Sequence, residues 1–161
     1  MRRRALSPLL IAGLALAPLA AAPTPAHAAS GVRFTTWVAN PSGSDANNNT
    51  GWNREYITIK NTSRQKVILT GWAVRDSKNK HSFTFPKGFT LKPGAQVILH
   101  SGRGRNSATH LYFNLGVKGT TGKGRVGYVW NNTGDTAQLL KGRAVSASCT
   151  YKPTNSGTKA C

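Results

Sequence analysis

Apolar and polar residues alternate in short runs along most of this chain, and turn-forming residues separate one run from the next. Residues 81–100 show the pattern most clearly. Phe83 and Phe85 share one face of a first predicted strand, and Val97 and Leu99 share one face of a second. Because Pro and Gly punctuate the segment between these strands, the sequence predicts a hairpin-like unit of an all-β domain.

Other runs predict further strands, and one of them contains a tryptophan. Trp72 in the middle of a strand is typical of a core residue. Strict alternation over residues 32–39 places Phe34 and Trp37 on opposite faces, and the polar residues 40–53 predict a loop. About eight short strands without helical periodicity predict a β-sandwich. The remaining strands are expected at residues 55–61, 67–69, 71–76, 136–140 and 144–151.

The N-terminal segment combines a basic start with an uncharged apolar run. Arginines at positions 2–4 precede an apolar, uncharged run at residues 9–22, which has the length of a signal-peptide hydrophobic region and is too short to span a membrane. An Ala-His-Ala triplet at residues 26–28 offers the small residues that a signal peptidase needs. A transmembrane anchor is the alternative, and the prolines around the run disfavour it. We therefore expect a secreted, extracellular protein after signal-peptide cleavage near Ala28.

The most unusual property of the composition is its net positive charge. The chain carries 22 Lys and Arg against 4 acids, a net charge of +18, which becomes +15 without the three arginines of the predicted signal peptide. Such a surface attracts polyanions, so nucleic acid or anionic cell-envelope polymers are candidate partners. The alternative is that the charge is incidental and keeps a small exported protein soluble, or lets it adhere to anionic envelopes.

Two glycine-rich loops, at residues 101–107 and 116–127, concentrate basic side chains. Such loops suggest contacts with phosphates. The nucleotide-binding P-loop is excluded, because Val117 and Gly124 stand where that motif requires Gly and Ser or Thr. Ordinary solvated loops are the alternative. The candidate polyanion-binding residues are Arg103, Arg105, Lys118, Lys123 and Arg125.

The scarcity of acids argues against catalysis. The four acids, Asp45, Glu55, Asp76 and Asp135, lie in four different segments, so paired carboxylates are not available. His81, His100 and His110 could form a cluster, but nothing in the sequence places a nucleophile, a base and an orienting group together. In particular, His100 and the adjacent Ser101 are expected to point to opposite faces of a strand. We expect no enzymatic activity.

Two of the acids suggest structural roles. Glu55 falls on the same face of a predicted strand as Ile57 and Ile59, and a buried carboxylate needs a partner. An arginine such as Arg75 would lock it in place, and a functional acid is the alternative. Asp135 ends a turn-forming segment and fits a cap, with a contribution to cation binding as the alternative.

The two cysteines lie close together near the C-terminus. In an exported protein, Cys149 and Cys161 are most simply a disulfide that staples the tail to the last strand. Free thiols are the alternative. A metal site is disfavoured, because neither His nor an acid lies near either cysteine and the spacing matches no zinc pattern. No metal and no cofactor are expected.

Five motifs, in order along the chain, resemble the lamin tail domain. They are EYITIKN at 55–61, LTGW at 69–72, FTFP at 83–86, FTLKPG at 89–94 and WNNTGD at 130–135. The resemblance covers roughly residues 30–150 and implies an immunoglobulin-like β-sandwich with Trp72, Phe85, Leu91 and Trp130 as framework positions. It also implies a binding or structural module without catalytic residues. The chain has no coiled-coil rod, so the resemblance implies no filament assembly.

Taken together, these patterns predict four segments. They are a signal peptide (1–28), an N-terminal strand and polar loop (29–53), a lamin-tail-like β-sandwich core (54–151) and a disulfide-stapled tail (152–161). The leading hypothesis is an exported, non-catalytic module that binds polyanions electrostatically. One alternative is a protein-interaction or cell-envelope structural module, and a second is a small secreted hydrolase.

Overall fold

The computed structural model describes residues 31–43, 48–78, 80–115 and 127–161. These ranges contain eleven strands and one short helix, so the all-β prediction is confirmed with more strands than the eight expected. The helix is α1 (Asn49–Asn53). The strands are β1 (Val32–Val38), β2 (Tyr56–Asn61), β3 (Val67–Ile68), β4 (Trp72–Asp76), β5 (Ser82–Thr84), β6 (Thr90–Leu91), β7 (Gln96–His100), β8 (His110–Tyr112), β9 (Asp135–Lys141), β10 (Ala144–Tyr151) and β11 (Thr158–Ala160).

The strands form two larger sheets and one small strand pair. The five-stranded sheet has the order β11-β1-β2-β7-β8, and the four-stranded sheet has the order β10-β9-β4-β5. Strands β3 and β6 form the separate pair. All pairings are antiparallel except that of β7 with β8, which is parallel. The predicted signal peptide lies outside the described residues, and no helix within them is long and apolar enough to cross a membrane.

Both sheets contribute side chains to one hydrophobic core. Trp37 is fully buried, and its ring meets that of Trp130 edge to face with the ring centroids 4.8 Å apart. This geometry is one of the favourable arrangements for an aromatic pair. Trp72, Phe85, Leu91 and Trp130, the positions that the family resemblance marks as framework, are all buried.

Strand β1 departs from strict alternation. Its register with β2 shifts between Phe34 and Trp37, and both side chains are buried. The prediction that they face opposite ways was therefore wrong. A bulge adds one residue to a strand and moves every later side chain to the other face, so a simple two-residue period fails beyond it.

The predicted hairpin at residues 81–100 was also wrong. Strand β5 pairs with β4 in the four-stranded sheet, whereas β7 pairs with β2 and β8 in the five-stranded sheet. The connection between them contains β6, which pairs with β3 through Val67 and Leu91. This segment crosses from one sheet to the other. Leu91 of this segment is buried in the hydrophobic core.

The predicted loop at residues 40–53 ends in helix α1. The side chain of Asn48 accepts a hydrogen bond from Gly51 N at 2.9 Å, which caps the first turn. Trp52 on this turn is buried. A helix of five residues is too short to show helical periodicity, which explains why the sequence pattern did not reveal it.

The C-terminal tail is part of the sandwich. Strand β11 pairs with β1, and the predicted disulfide between Cys149 and Cys161 is confirmed. Cys149 lies in β10, at the edge of the four-stranded sheet, while Cys161 directly follows β11, at the edge of the five-stranded sheet. The sandwich thus extends on both sides of the predicted core of residues 54–151.

Candidate functional site

The loop at residues 101–109, named here the basic loop, connects β7 to β8. It carries Arg103 and Arg105, and both residues are exposed. Phe113 N donates a hydrogen bond to His100 O at 2.9 Å, which ties the strand after the loop to the strand before it. The two arginines are therefore presented from a loop whose ends are fixed in the sheet.

Helix α1 fixes the first half of the basic loop. The side-chain amides of Asn49 and Asn53 both donate to Arg103 O at 2.9 Å, and Arg103 N donates to Asn49 Oδ1 at 2.6 Å. Both polar groups of the Arg103 main chain are thus paired with asparagine side chains. An ordered backbone reduces the conformational entropy that the arginine loses on binding a ligand.

The second half of the basic loop packs on β8. Gly104 lies against the ring of Tyr112 so closely that a Cβ at this position would overlap the ring. Gly104 N donates to Asn114 Oδ1 at 3.2 Å, and Tyr112 N donates to Asn106 Oδ1 at 3.1 Å. Glycine at this position lets the loop lie flat on the tyrosine, and a larger residue would displace it.

Two histidines meet at the base of the basic loop, where β7 ends and β8 begins. His100 Nε2 lies 3.0 Å from His110 Nδ1, and His100 Nδ1 lies 2.8 Å from Asn53 O. The imidazole rings stack with their centroids 5.3 Å apart, and the ring of Tyr112 stacks on His100 at 5.0 Å. Burial lowers the pKa of His100, the hydrogen bond with Asn53 acts in the opposite direction, and His110 lowers it further.

His81, the third member of the predicted histidine cluster, lies apart from the other two. His81 follows the turn between β4 and β5, where its backbone N donates to Asp76 Oδ2 at 2.7 Å. Ser101 is buried and donates to Glu55, whereas the neighbouring His100 is half-buried and bonds to His110. The predicted opposite orientation of His100 and Ser101 is thus observed. Among the residues that the structure describes, no three His, Cys, Asp or Glu side chains are grouped so that they could hold a metal ion.

Glu55 is fully buried, and its partners differ from the predicted one. Its Oε1 accepts hydrogen bonds from Ser101 Oγ, from Val129 N at 2.7 Å and from Trp130 N at 3.1 Å. Arg75, the arginine named as a candidate partner, lies in the four-stranded sheet and donates through Nε to Gln138 Oε1 at 3.0 Å. The contacts of Glu55 with backbone amides join it to the segment that leads into β9.

The other described acids also accept hydrogen bonds from neighbouring groups of the fold. Asp76 is buried and accepts from Lys80 N and His81 N, closing the turn between β4 and β5. Asp135 accepts from Asn131 N at 3.2 Å and from Thr136 N at 2.7 Å, as expected for a turn cap. All three described carboxylates therefore accept hydrogen bonds within the fold.

The sequence found only part of this site. Arg103 and Arg105 lie together on the basic loop, while Lys118, Lys123 and Arg125 lie outside the described residues. Sequence reasoning missed Asn49 and Asn53, whose signal was an asparagine-rich composition that also fits a solvated loop. The supporting residues Asn106, Tyr112 and Asn114 were missed as well.

The two packed sheets and the loop site define a β-sandwich domain with a basic surface loop. The family model LTD, Lamin Tail Domain, matches residues 25–153, so the chain belongs to this family, whose fold is immunoglobulin-like. Members of the family are immunoglobulin-like modules that are generally non-enzymatic. A search of curated proteins finds no match to the chain.

Proposed function

We propose that the protein is an exported, non-catalytic module that binds polyanions, such as nucleic acid or anionic cell-envelope polymers, through the basic loop. One observation carries the proposal. Arg103 and Arg105 are exposed on a loop whose backbone is held by asparagine side chains, while the described carboxylates accept hydrogen bonds within the fold. A disulfide is consistent with an extracellular protein and supports export.

The chemistry of the loop suits phosphate. Arginine presents a planar fork of N–H donors that matches phosphate oxygens, and its charge persists at every relevant pH. Contacts of this kind release counterions, so the logarithm of the binding constant falls with the logarithm of salt concentration by about 0.9 for each phosphate neutralised on duplex DNA. The two arginines should together contribute about 2 to that slope. Sequence preference should be weak, because phosphate contacts carry no base information.

The test is a titration of the mature, oxidised protein with duplex and single-stranded DNA at about 50 and about 200 mM salt. The double substitution Arg103→Gln with Arg105→Gln should weaken binding and reduce the salt slope by about 2. The matched control is Arg64→Gln with Lys66→Gln. It removes the same charge from the exposed turn after β2, at the end of that strand opposite to the one that pairs with His100.

The outcomes separate a site from a diffuse charge. A larger loss in the loop variant than in the control supports the proposal. Equal losses would reduce the charge to a general surface property, and binding that vanishes at the higher salt would remove nucleic acid as a partner. A carboxylate polymer such as polyglutamate, titrated in parallel, tests whether the loop prefers phosphate or accepts any polyanion.

A further inference from the structure

The pair of His100 and His110 stands at the two ends of the basic loop. His100 is the last residue of β7 and His110 is the first residue of β8, so every residue of the loop lies between them in the chain. The 3.0 Å contact between their rings therefore closes the loop at its base. Any change in the charge of this pair therefore takes place at the base of the loop that carries Arg103 and Arg105.

The hydrogen bonds fix the tautomers of the neutral pair. Asn53 O can only accept, so His100 Nδ1 carries a hydrogen and donates to it. In a neutral His100, Nε2 then has a lone pair, and His110 Nδ1 must carry the hydrogen that lies between the two rings. His110 Nε2 is consequently the proton-accepting atom at the end of this chain.

The first added proton has one position that preserves every hydrogen bond. A proton on His110 Nε2 leaves His110 Nδ1 donating to His100 and leaves His100 donating to Asn53. A second proton, on His100 Nε2, would set two N–H groups against each other and break the contact. Burial, which lowers the pKa of His100, acts in the same direction and keeps that ring neutral.

We propose that polyanion binding at the basic loop is coupled to the uptake of a single proton by the His100–His110 pair, which adds one positive charge to the loop as the medium turns mildly acidic. The ligand class is a phosphodiester polymer, whose own charge does not change in this range. This inference rests on the proposed function, since it describes the regulation of the same site.

The surroundings of the pair favour this single charge. Tyr56 of β2 and Tyr112 of β8 face the His100 ring, and helix α1 contributes the Asn53 carbonyl. Repulsion between the two rings also limits the pair to one proton, because His110 lowers the pKa of His100. The charged residues of the neighbouring segments are Arg54 and Glu55 after α1 and the two arginines of the basic loop.

The first experiment follows the protons directly. Residues 29–161 contain three histidines, so the ring nitrogens of the ¹⁵N-labelled mature protein can be assigned and titrated by NMR between about pH 7.5 and about pH 5.5, the range in which histidines change charge. The expected result is protonation of Nε2 of His110 while His100 keeps a hydrogen on Nδ1 alone. Protonation of both rings, or of His100 first, would overturn the proposal.

The second experiment measures the coupling. Binding of a DNA oligonucleotide without terminal phosphates should tighten about fivefold from pH 7.5 to pH 5.5, and the salt slope should rise by about 0.9 if one more phosphate is engaged. His110→Asn keeps an amide donor for His100 and removes the titrating ring, so it should abolish the pH dependence. His81→Asn, on the other sheet, should leave it intact. If His110→Asn disturbs folding, His110→Gln is the second variant.

The outcomes distinguish the two proposals. Binding that is equal at both pH values, or a pH dependence that survives His110→Asn, overturns the coupling and leaves the proposed function standing. A wild-type protein that does not bind DNA or polyglutamate at either pH overturns the proposed function and the coupling with it.

Discussion

Two chemically different links join the two sheets. The Cys149–Cys161 bond connects β10 to the end of β11, so the edge strands of the two sheets are covalently linked. The buried carboxylate of Glu55 accepts hydrogen bonds from Ser101 after β7 and from Val129 and Trp130 before β9. One link is a covalent bond and the other is a set of hydrogen bonds.

The comparison shows that two links between the same sheets can stabilise a fold in different ways, one through the unfolded state and the other through the folded state. A disulfide acts mainly by restricting the unfolded chain, and its effect depends on the length of the loop that it closes. A buried carboxylate acts in the folded state, where each donor that it satisfies would otherwise be buried without a partner. A reductant should therefore break the first link and leave the second intact.

The largest effect is expected at Glu55. Glu55→Ala leaves three donors without their acceptor and should lower the free energy of unfolding by about 4 kcal/mol, measured by urea denaturation. Glu55→Gln is the matched control, because it keeps one oxygen acceptor, and should lower it by about 2 kcal/mol. A loss below about 1 kcal/mol in the alanine variant would contradict the role of Glu55 as a link between the sheets.

The disulfide should follow in size. Replacing both cysteines, Cys149→Ser with Cys161→Ser, opens a loop with a sequence separation of 12 residues and should cost about 3 kcal/mol. Hydrogen exchange should accelerate at the amides of Ala39 and Asn40, which donate to Gly157 O in the tail. Unchanged exchange at these two amides would show that β11 stays in place without the disulfide.

A carboxylate nearer the surface sharpens the comparison. Asp135→Asn weakens the acceptor for Asn131 N and Thr136 N in a partly exposed turn, where water can replace the lost bonds. We expect a loss of about 1 kcal/mol by urea denaturation, smaller than that of Glu55→Gln. An equal or greater loss at Asp135 would mean that burial does not control the contribution of these acids.

The smallest effect is a dependence of stability on pH through His100. Because its pKa is lowered from 6.5 in the folded protein, the unfolded chain binds more protons below that pH. Stability should therefore decrease as the pH falls below about 6.5. Urea midpoints at pH 7.5 and pH 5.5 test this, with His100→Asn as the variant in which the decrease should be reduced. A midpoint that rises on acidification would contradict the sign.

Alternation within short segments was enough to predict the bounds of several strands. Strands β2, β4, β9 and β10 lie close to their predicted bounds, and the disulfide was predicted from two cysteines in a chain expected to be exported. The bulge before Trp37 and the separate sheets of β5 and β7 were missed, because both depend on pairing with strands distant in the chain. Strand β11 lay in a segment too short and polar to show a period.

The candidate site shows the same contrast between features visible in a short segment and features that depend on residues distant in the chain. Arg103 and Arg105 stand out in the sequence because charge and glycine are visible residue by residue. Their support does not, since the asparagines that hold the Arg103 main chain are 54 and 50 residues away. The partners of Glu55 were missed for the same reason, because Val129 and Trp130 are 74 and 75 residues away and contribute only backbone atoms.

The parallel pairing of β7 with β8 has a consequence for how this surface can change. Antiparallel neighbours can be joined by a turn of two residues, whereas parallel neighbours require a connection that returns along the strand before the next one begins. The chain must therefore carry extra residues outside the sandwich at this edge, whatever their identity. The exposed side chains among them, such as those of Arg103 and Arg105, can be exchanged without altering the pairing of the strands. The topology itself thus leaves room for related chains to acquire different ligands at one edge of a common scaffold.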